Sequence, residues 1–247
     1  MAHRGAPTER PENTLASFEA AVEAGAPAIE FDVRVTADGH AVVIHDPDLG
    51  RTTDRAGLIL EQTLADVLAS RITGSDGRIY TIPTLHETLA LLSGRVAVDI
   101  EIKNVPGEPD FDPDDEVAVA LVHRALDDVG FAGDVIVSSF NPRSIAVSRE
   151  RRPDIPTGLL TDVGVDAAAA LHFAAEQGHR WVLPFAARVS EQGDGFAAQV
   201  HARDMLLGVW IVDDPDTARA LLSAGADALA TNEPRAIIAA CRRLLPA

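Results

Sequence analysis

Lysine, cysteine and aromatic side chains are all scarce in this 247-residue chain, and each shortage narrows what the protein can be. Cys241 is the single cysteine, so no intrachain disulfide can form. Near the end of an apolar helical stretch it reads as core rather than nucleophile. No apolar run approaches the roughly 18 residues that a membrane-spanning helix needs. The opening MAHRGAPTERPENT has no apolar signal-peptide segment, so a soluble, cytoplasmic protein is expected. Aromatics make up 4 %, with no visible cluster to serve as a rim against a lipid surface. Basic residues are outnumbered 21 to 38, for a net charge of −17 with His neutral. That disfavours non-specific nucleic-acid binding and charge-driven docking on an anionic membrane. An anionic substrate would need a local positive patch or a metal ion. No G-x-G-x-x-G follows the first strand-like segment, which weakens a dinucleotide-binding reading. No low-complexity linker or charge block marks a boundary, so one domain is expected over 1–247.

Hydrophobic residues are 47 % of the chain, enough for a full core. Short apolar, strand-like runs alternate with amphipathic helical stretches. The strands are expected at 2–4, 27–35, 95–103, 134–140, 156–161, 180–185, 206–212 and 227–231, with an extra extended segment, AVVIHD, at 41–46. Helices are expected at 11–25, 63–70, 84–92, 114–130, 142–150, 166–178, 195–204, 215–225 and 233–245. Several open on Pro or an Asp, Ser or Thr cap and close on Gly. An alternating series of this length fits an α/β fold of the (β/α)8 barrel type. A doubly wound open sheet has the same alternation.

The polar residues out of place in buried strands fall at strand ends. His3 and Arg4 end the first. Glu30 and Asp32 lie late in the second, two residues apart and so on one face. His45 and Asp46 end the extra segment. In VDIEIKN (98–104), Asp99, Glu101 and Lys103 alternate with β-branched residues, and Lys103 is the sole lysine of the chain. Ser139, Trp210 and Asp213 close later strands. Each alone has a bland reading, as a hydrogen-bonded loop residue or a solvated strand face. Together, two His, three acids, an Arg and a Lys at converging strand ends resist that reading, because unpaired buried charges are costly. Glu30, Asp32 and Glu101 offer oxygen ligands suited to Mg²⁺ or Ca²⁺. Arg4 offers a planar fork for phosphate oxygens and Lys103 a compact charge. His3 and His45 can exchange protons near neutrality, one with the nucleophile and one with the leaving alkoxide. That layout suits a phosphodiester.

At these positions the chain resembles the glycerophosphodiester phosphodiesterase family, nearly end to end. HRG (3–5), PENT (11–14), EFDV (30–33), VVIHDPDLGRTTD (42–54), IPTLHETL (82–89), IEIK (100–103), SSF (138–140), VWIVDDP (209–215) and GADALATNEP (225–234) follow in the family's order. The resemblance implies a TIM barrel that hydrolyses glycerophosphodiesters to an alcohol and sn-glycerol 3-phosphate. It implies His3 and His45 as the acid/base pair and Glu30, Asp32 and Glu101 as ligands of one divalent cation, Mg²⁺ or Ca²⁺. It further implies Arg4 and Lys103 as phosphate contacts and Trp210 on the glycerol or alcohol side. Glu12 is expected behind the reacting groups, hydrogen-bonding the site, or merely as an acidic first-turn helix residue. Asp99 is read as part of a polar barrel layer or a partner for an Arg.

Three departures from the family stand out. Only two residues precede His3, where relatives usually have several apolar ones, so the first strand is stunted or the start lies elsewhere. Asp213 stands where Asn is frequent. The stretch after His45 is short, which argues against a large inserted cap and for an open site. The other six His are read as surface or core. Trp181 is read as core, with Pro184 and Phe185 able to shape the pocket wall. A lysophospholipase D or sphingomyelinase-D-like enzyme would keep the same acids and histidines but expose an apolar rim. A non-catalytic binder on the same fold would have lost a His or a ligand, and none is missing. The expected partner is a small-molecule phosphodiester, without nucleic acid or stable membrane association.

Overall fold

The computed structural model describes residues 1–193 and 195–244. β1 (Ala2–His3) and α1 (Leu15–Glu23) lead to β2 (Ala28–Val35) and β3 (Ala41–Val43). After a satellite lobe come α3 (Leu85–Leu92), β6 (Ala97–Ile102), α4 (Val117–Val129), β7 (Val135–Ser139), α5 (Pro142–Arg151), β8 (Thr157–Thr161) and α6 (Ala167–Glu176). β9 (Trp181–Pro184), α7 (Ala186–Ser190), α8 (Phe196–His201), β10 (Leu206–Val209), α9 (Pro215–Ser223), β11 (Ala228–Leu229) and α10 (Pro234–Cys241) complete the series. Helix starts follow the sequence chemistry. Thr84 and Glu87 form a capping box on α3, and Asn141 and Asp214 cap α5 and α9 directly ahead of Pro142 and Pro215.

The main sheet runs β1-β2-β6-β7-β8-β9-β10-β11, every step parallel. It closes on itself. Ala2 bridges Thr231, the His3 amide donates to the Thr231 carbonyl at 2.9 Å, and the Thr231 amide donates to the Met1 carbonyl at 3.1 Å. The fold is therefore an eight-stranded barrel among the described residues, and the open doubly wound alternative is set aside. β3 hangs outside the barrel, antiparallel to the far end of β2. The expected helix at 233–245 is observed to Cys241; position 245 lies outside the described residues. α7 was not anticipated, because its single turn AARVS is too short for a helical period to show.

Two apolar layers fill the space between barrel and helices. One packs α1, α3 and α4 on β2 and β6, with Leu85, Leu89 and Leu92 of α3 fully buried at helical spacing. The other packs α6, α8, α9 and α10 on β8–β11. The stretch after His45, expected to be short and open, instead folds into a lobe. It holds two 3-10 turns (Leu49–Arg51 and Ile59–Glu61), α2 (Leu64–Leu68) and a hairpin of β4 (Ile72–Thr73) and β5 (Ile79–Tyr80). Val42, Ile44, Leu49, Ile59, Val67, Ile72 and Ile82 give it a core of its own. Their irregular spacing has neither helical nor strand period, so the sequence pattern conceals it. Among the described residues no helix is long and apolar enough to cross a membrane.

Candidate active site

β1 ends in a sharp turn. Arg4 has φ of 56° and Gly5 of 85°. A Cβ on Gly5 would run into Ser17 Oγ and lie 2.7 Å from the Ser17 carbonyl carbon, so only glycine fits between this turn and α1. The Arg4 amide donates to both the Glu30 carbonyl and Glu30 Oε2, each at 3.0 Å. The Arg4 carbonyl accepts from the Asn13 amide and Ser17 Oγ. HRG and PENT, five residues apart in sequence, are thus one stitched structure.

The register of β2 on β6 sets Glu30 beside Asp99 and Asp32 beside Glu101. All four carboxyls are buried. One oxygen from each of Glu30, Asp32 and Glu101 lies within 4.8 Å of the others. Glu30 Oε1 and Asp32 Oδ1 are buried with no hydrogen-bond partner among the described residues. Orphaned oxygens on converging carboxylates are the donor set that a hard divalent cation requires, so the residues fit such a metal. Burial, then Asp32 and Glu101, push the Glu30 carboxyl well up. Burial, opposed by Lys103 but aided by Asp32, pushes Glu101 up to about 7. Burial also lifts Asp99 to about 7. Burial would raise Asp32 as well, but Arg4, Lys103 and a 2.8 Å hydrogen bond from Asn13 Nδ2 hold it below the usual range.

Lys103 Nζ donates to Glu101 Oε1 at 2.8 Å and lies 3.7 Å from Asp32 Oδ1. Burial would lower its pKa; the two carboxylates outweigh burial and keep it raised. Arg4 Nη1 donates to Glu12 Oε1 at 3.0 Å, and Nε lies 3.2 Å from Asp32 Oδ2. Glu12 thus contacts Arg4, and it lies ahead of α1, whose first turn holds no acidic residue.

The two imidazoles have different partners. His3 Nδ1 meets Asn232 Oδ1 at 2.8 Å. The Asn232 amide group is oriented by Asp213, which accepts from Asn232 Nδ2 at 2.9 Å and from the Asn232 backbone amide at 2.7 Å. An amide oxygen only accepts, so His3 Nδ1 carries a proton, and in the neutral ring that burial favours the lone pair is on Nε2, 3.8 Å from Glu30 Oε2. His45 Nδ1 instead meets a carboxylate, Asp46 Oδ1, at 2.6 Å. Burial is the largest influence on both and lowers both; Asp32 and Asp46 pull His45 back towards protonation. The His45 carbonyl accepts from Arg34 Nε at 2.7 Å, and the same buried guanidinium grips Glu108 and Asp110 in the loop after β6.

His3, Arg4, Glu30, His45, Asp99, Glu101, Lys103 and Trp210 all line one cavity of about 110 Å³ at the C-terminal end of the barrel. Trp210 stacks edge-on against Phe140 and Phe185, at 5.3 and 5.4 Å between centroids. Trp210 and Phe185 are readable singly as pocket residues, but the contact that joins them with Phe140 is not, because the three come from separate strand ends. Ser139 stands apart from the chemistry: its Oγ donates to the Ile102 carbonyl and accepts from the Asn141 amide. Asn13, Arg34, Arg51 and Asn232 are the polar participants not anticipated. Arg51 and Asn232 lie inside the quoted motifs VVIHDPDLGRTTD and GADALATNEP, which flag both positions without assigning either a contact.

A closed (β/α)8 barrel with carboxylates, guanidinium, ammonium and two imidazoles around one cavity at its C-terminal mouth defines a barrel enzyme built for an anionic substrate. The family follows from comparison. The model of the glycerophosphoryl diester phosphodiesterase family matches residues 3–236. The glycerophosphodiester phosphodiesterase of Caldanaerobacter subterraneus subsp. tengcongensis is 31% identical over 98% of this chain and 97% of its own. A phosphodiesterase from Oleispira antarctica, solved with its product sn-glycerol-3-phosphate, superposes with a TM-score of 0.85 at 26% identity, over 98% of this chain and 95% of the other. A structure from Agrobacterium tumefaciens named as a putative glycerophosphoryl diester phosphodiesterase gives 0.83 at 27% identity, over 98% and 96%. The chain belongs to the glycerophosphoryl diester phosphodiesterase family, and it is an enzyme.

Proposed function

We propose that this protein hydrolyses glycerophosphodiesters to an alcohol and sn-glycerol 3-phosphate, with one divalent cation, Mg²⁺ or Ca²⁺, held by Glu30, Asp32 and Glu101. The observation that carries the reading is the buried carboxylate trio, with unpartnered oxygens on Glu30 and Asp32, of which Glu30 and Glu101 line the cavity that also holds Arg4, Lys103 and both imidazoles. The bound cation would supply Lewis-acid stabilisation of charge on the phosphoryl oxygens. Arg4, braced by Glu12, and Lys103 bind the remaining oxygens and orient the phosphorus. The lone pair on His3 Nε2 takes the proton of the attacking hydroxyl as its oxygen bonds to phosphorus. His45, backed by a carboxylate rather than an amide, is the better seat for a proton and gives it from Nε2 to the departing alkoxide as the P–O bond breaks. A phosphodiester anion in the cavity adds negative charge beside His45 and favours its imidazolium. Trp210 lines the glycerol or alcohol side. The whole chain, 1–247, serves as one catalytic domain in the cytoplasm, acting on a small molecule and on neither nucleic acid nor membrane.

The test uses EDTA-stripped protein, glycerophosphocholine, and Mg²⁺ or Ca²⁺ added back. Release of sn-glycerol 3-phosphate, followed with a coupled dehydrogenase, is expected only with metal. Folded protein that releases none with either cation would overturn the reading.

A further inference from the structure

The satellite lobe does more than cover apolar surface. Its first turn, Leu49–Arg51, is capped by Asp48, whose side chain accepts from the Gly50 and Gly57 amides. That turn delivers one guanidinium to the edge of the barrel mouth. Arg51 Nε donates to Asp46 Oδ2, and Nη2 donates to Asp46 Oδ1 at 3.1 Å. The opposite side of the same fork donates to Glu12, Nη1 to Oε2 at 3.0 Å and Nη2 to Oε1 at 2.7 Å. Asp46 holds His45 Nδ1, and Glu12 holds Arg4 Nη1. A single side chain therefore ends two chains of contact, one leading to an imidazole and one to the phosphate-facing guanidinium.

We propose that Arg51 is a positioning residue for the reaction: it locks Asp46, and through it the ring of His45, into the orientation from which the leaving alkoxide is protonated. Three features support this. Asp46 is half-buried on a loop outside any regular element, so nothing in the secondary structure fixes its rotamer. Carboxylate plus imidazole need a third partner to fix the plane in which they meet, and a planar fork gripping both Asp46 oxygens supplies it. The Arg51 side chain is itself 47% exposed, which makes its ion pairs weak contributors to folding. Such a costly convergence of two carboxylates on one exposed guanidinium is better explained by orientation than by stability.

The inference rests on the proposed role of His45, and the experiment separates the two. Arg51→Ala, Arg51→Lys, His45→Ala and the double variant His45→Ala/Arg51→Ala are compared on glycerophosphocholine and on a glycerophosphodiester whose leaving group is p-nitrophenol. The aryl group leaves without a proton, so loss of an aligned acid is felt only on the choline substrate. Arg51→Ala is expected to lower kcat on glycerophosphocholine by about tenfold or more, and on the aryl ester by less than about threefold. Its melting temperature should stay within about 3 °C of wild type. Arg51→Lys, keeping charge but not the fork, should recover only part of the loss. In the His45→Ala background, removing Arg51 should cost little more, since both act through one proton. Equal losses on both substrates for Arg51→Ala, or an undiminished cost in the His45→Ala background, would overturn the inference. Equal losses for His45→Ala itself would overturn the role of His45 instead.

Discussion

At the scale of single residues, the site is a set of groups held where they are uncomfortable. Glu30 is buried beside Asp32 and Glu101, and one of its oxygens has no hydrogen-bond partner among the described residues. Without a cation this arrangement works against folding. The sign follows from the raised carboxyls: an acid whose folded pKa is elevated contributes fully below its unfolded value and loses that contribution as pH rises. For Glu101 the window runs from about 4.5 up to about 7. Metal-free protein should therefore weaken across that range, and a divalent cation should restore it by mass action. Glu30→Gln removes one charge from the crowd and one ligand from the ion. Its metal-free melting temperature at pH 8 should rise by about 3 °C while turnover falls at least about 100-fold. The rise produced by Mg²⁺ or Ca²⁺ in wild type should shrink or vanish. Calorimetry with EDTA and with each cation decides the matter, and a variant that melts lower than metal-free wild type would refute it.

Elements impose constraints of another kind, visible where β8, the end of α6 and the entry to β9 meet. His179 is buried there, its Nδ1 paired with Thr157 Oγ1 at 2.8 Å and its Nε2 without a partner among the described residues. Burial, with Arg149 nearby, pushes the imidazole down to about 4. The unfolded chain binds a proton below about 6.5 that the folded chain refuses until about 4, so stability is lost as pH falls through that interval. His179→Gln should flatten the dependence of urea midpoint on pH between 6.5 and 4, even though losing the Thr157 contact lowers stability at pH 8. A slope equal to wild type would place the acid sensitivity elsewhere. The same elements show what a linear chain discloses. β2 and β6 are legible because Glu30, Asp32, Asp99 and Glu101 interrupt β-branched alternation at fixed parity. Strand ends reveal His3, Arg4, Lys103 and Trp210 for the same reason. The lobe after β3 is legible only at α2, expected at 63–70; the rest is not, because its core residues are spaced without a period. Nor are Asp213 and Asn232 as the support of His3: that hydrogen bond joins residues 229 apart, and nothing local at either end demands it. Asp213, which stands where Asn is frequent in the family, spends its carboxylate on Asn232 and Thr231.

For the whole molecule the governing quantity is charge. A protein of net −17 must admit a phosphodiester anion to a cavity whose cationic side chains are Arg4 and Lys103, both already paired with carboxylates. The long-range field therefore opposes approach, and only the last few ångströms favour it. Substrates should feel that field according to their own net charge. A glycerophosphodiester with a neutral alcohol is a monoanion, whereas glycerophosphocholine is zwitterionic and uncharged overall. Salt screens exposed charges over about 10 Å at 0.1 M, short of the molecule's diameter but long beside the cavity. Raising ionic strength from roughly 0.02 to 0.3 M at saturating metal should therefore raise kcat/KM for glycerophosphoglycerol by about twofold or more while leaving glycerophosphocholine nearly unchanged. A parallel response of the two would mean that substrate senses only the local Arg4, Lys103 and metal, and that the acidic exterior is irrelevant to entry. A divergent response would assign the exterior a selective role, favouring diesters whose alcohol carries a positive charge.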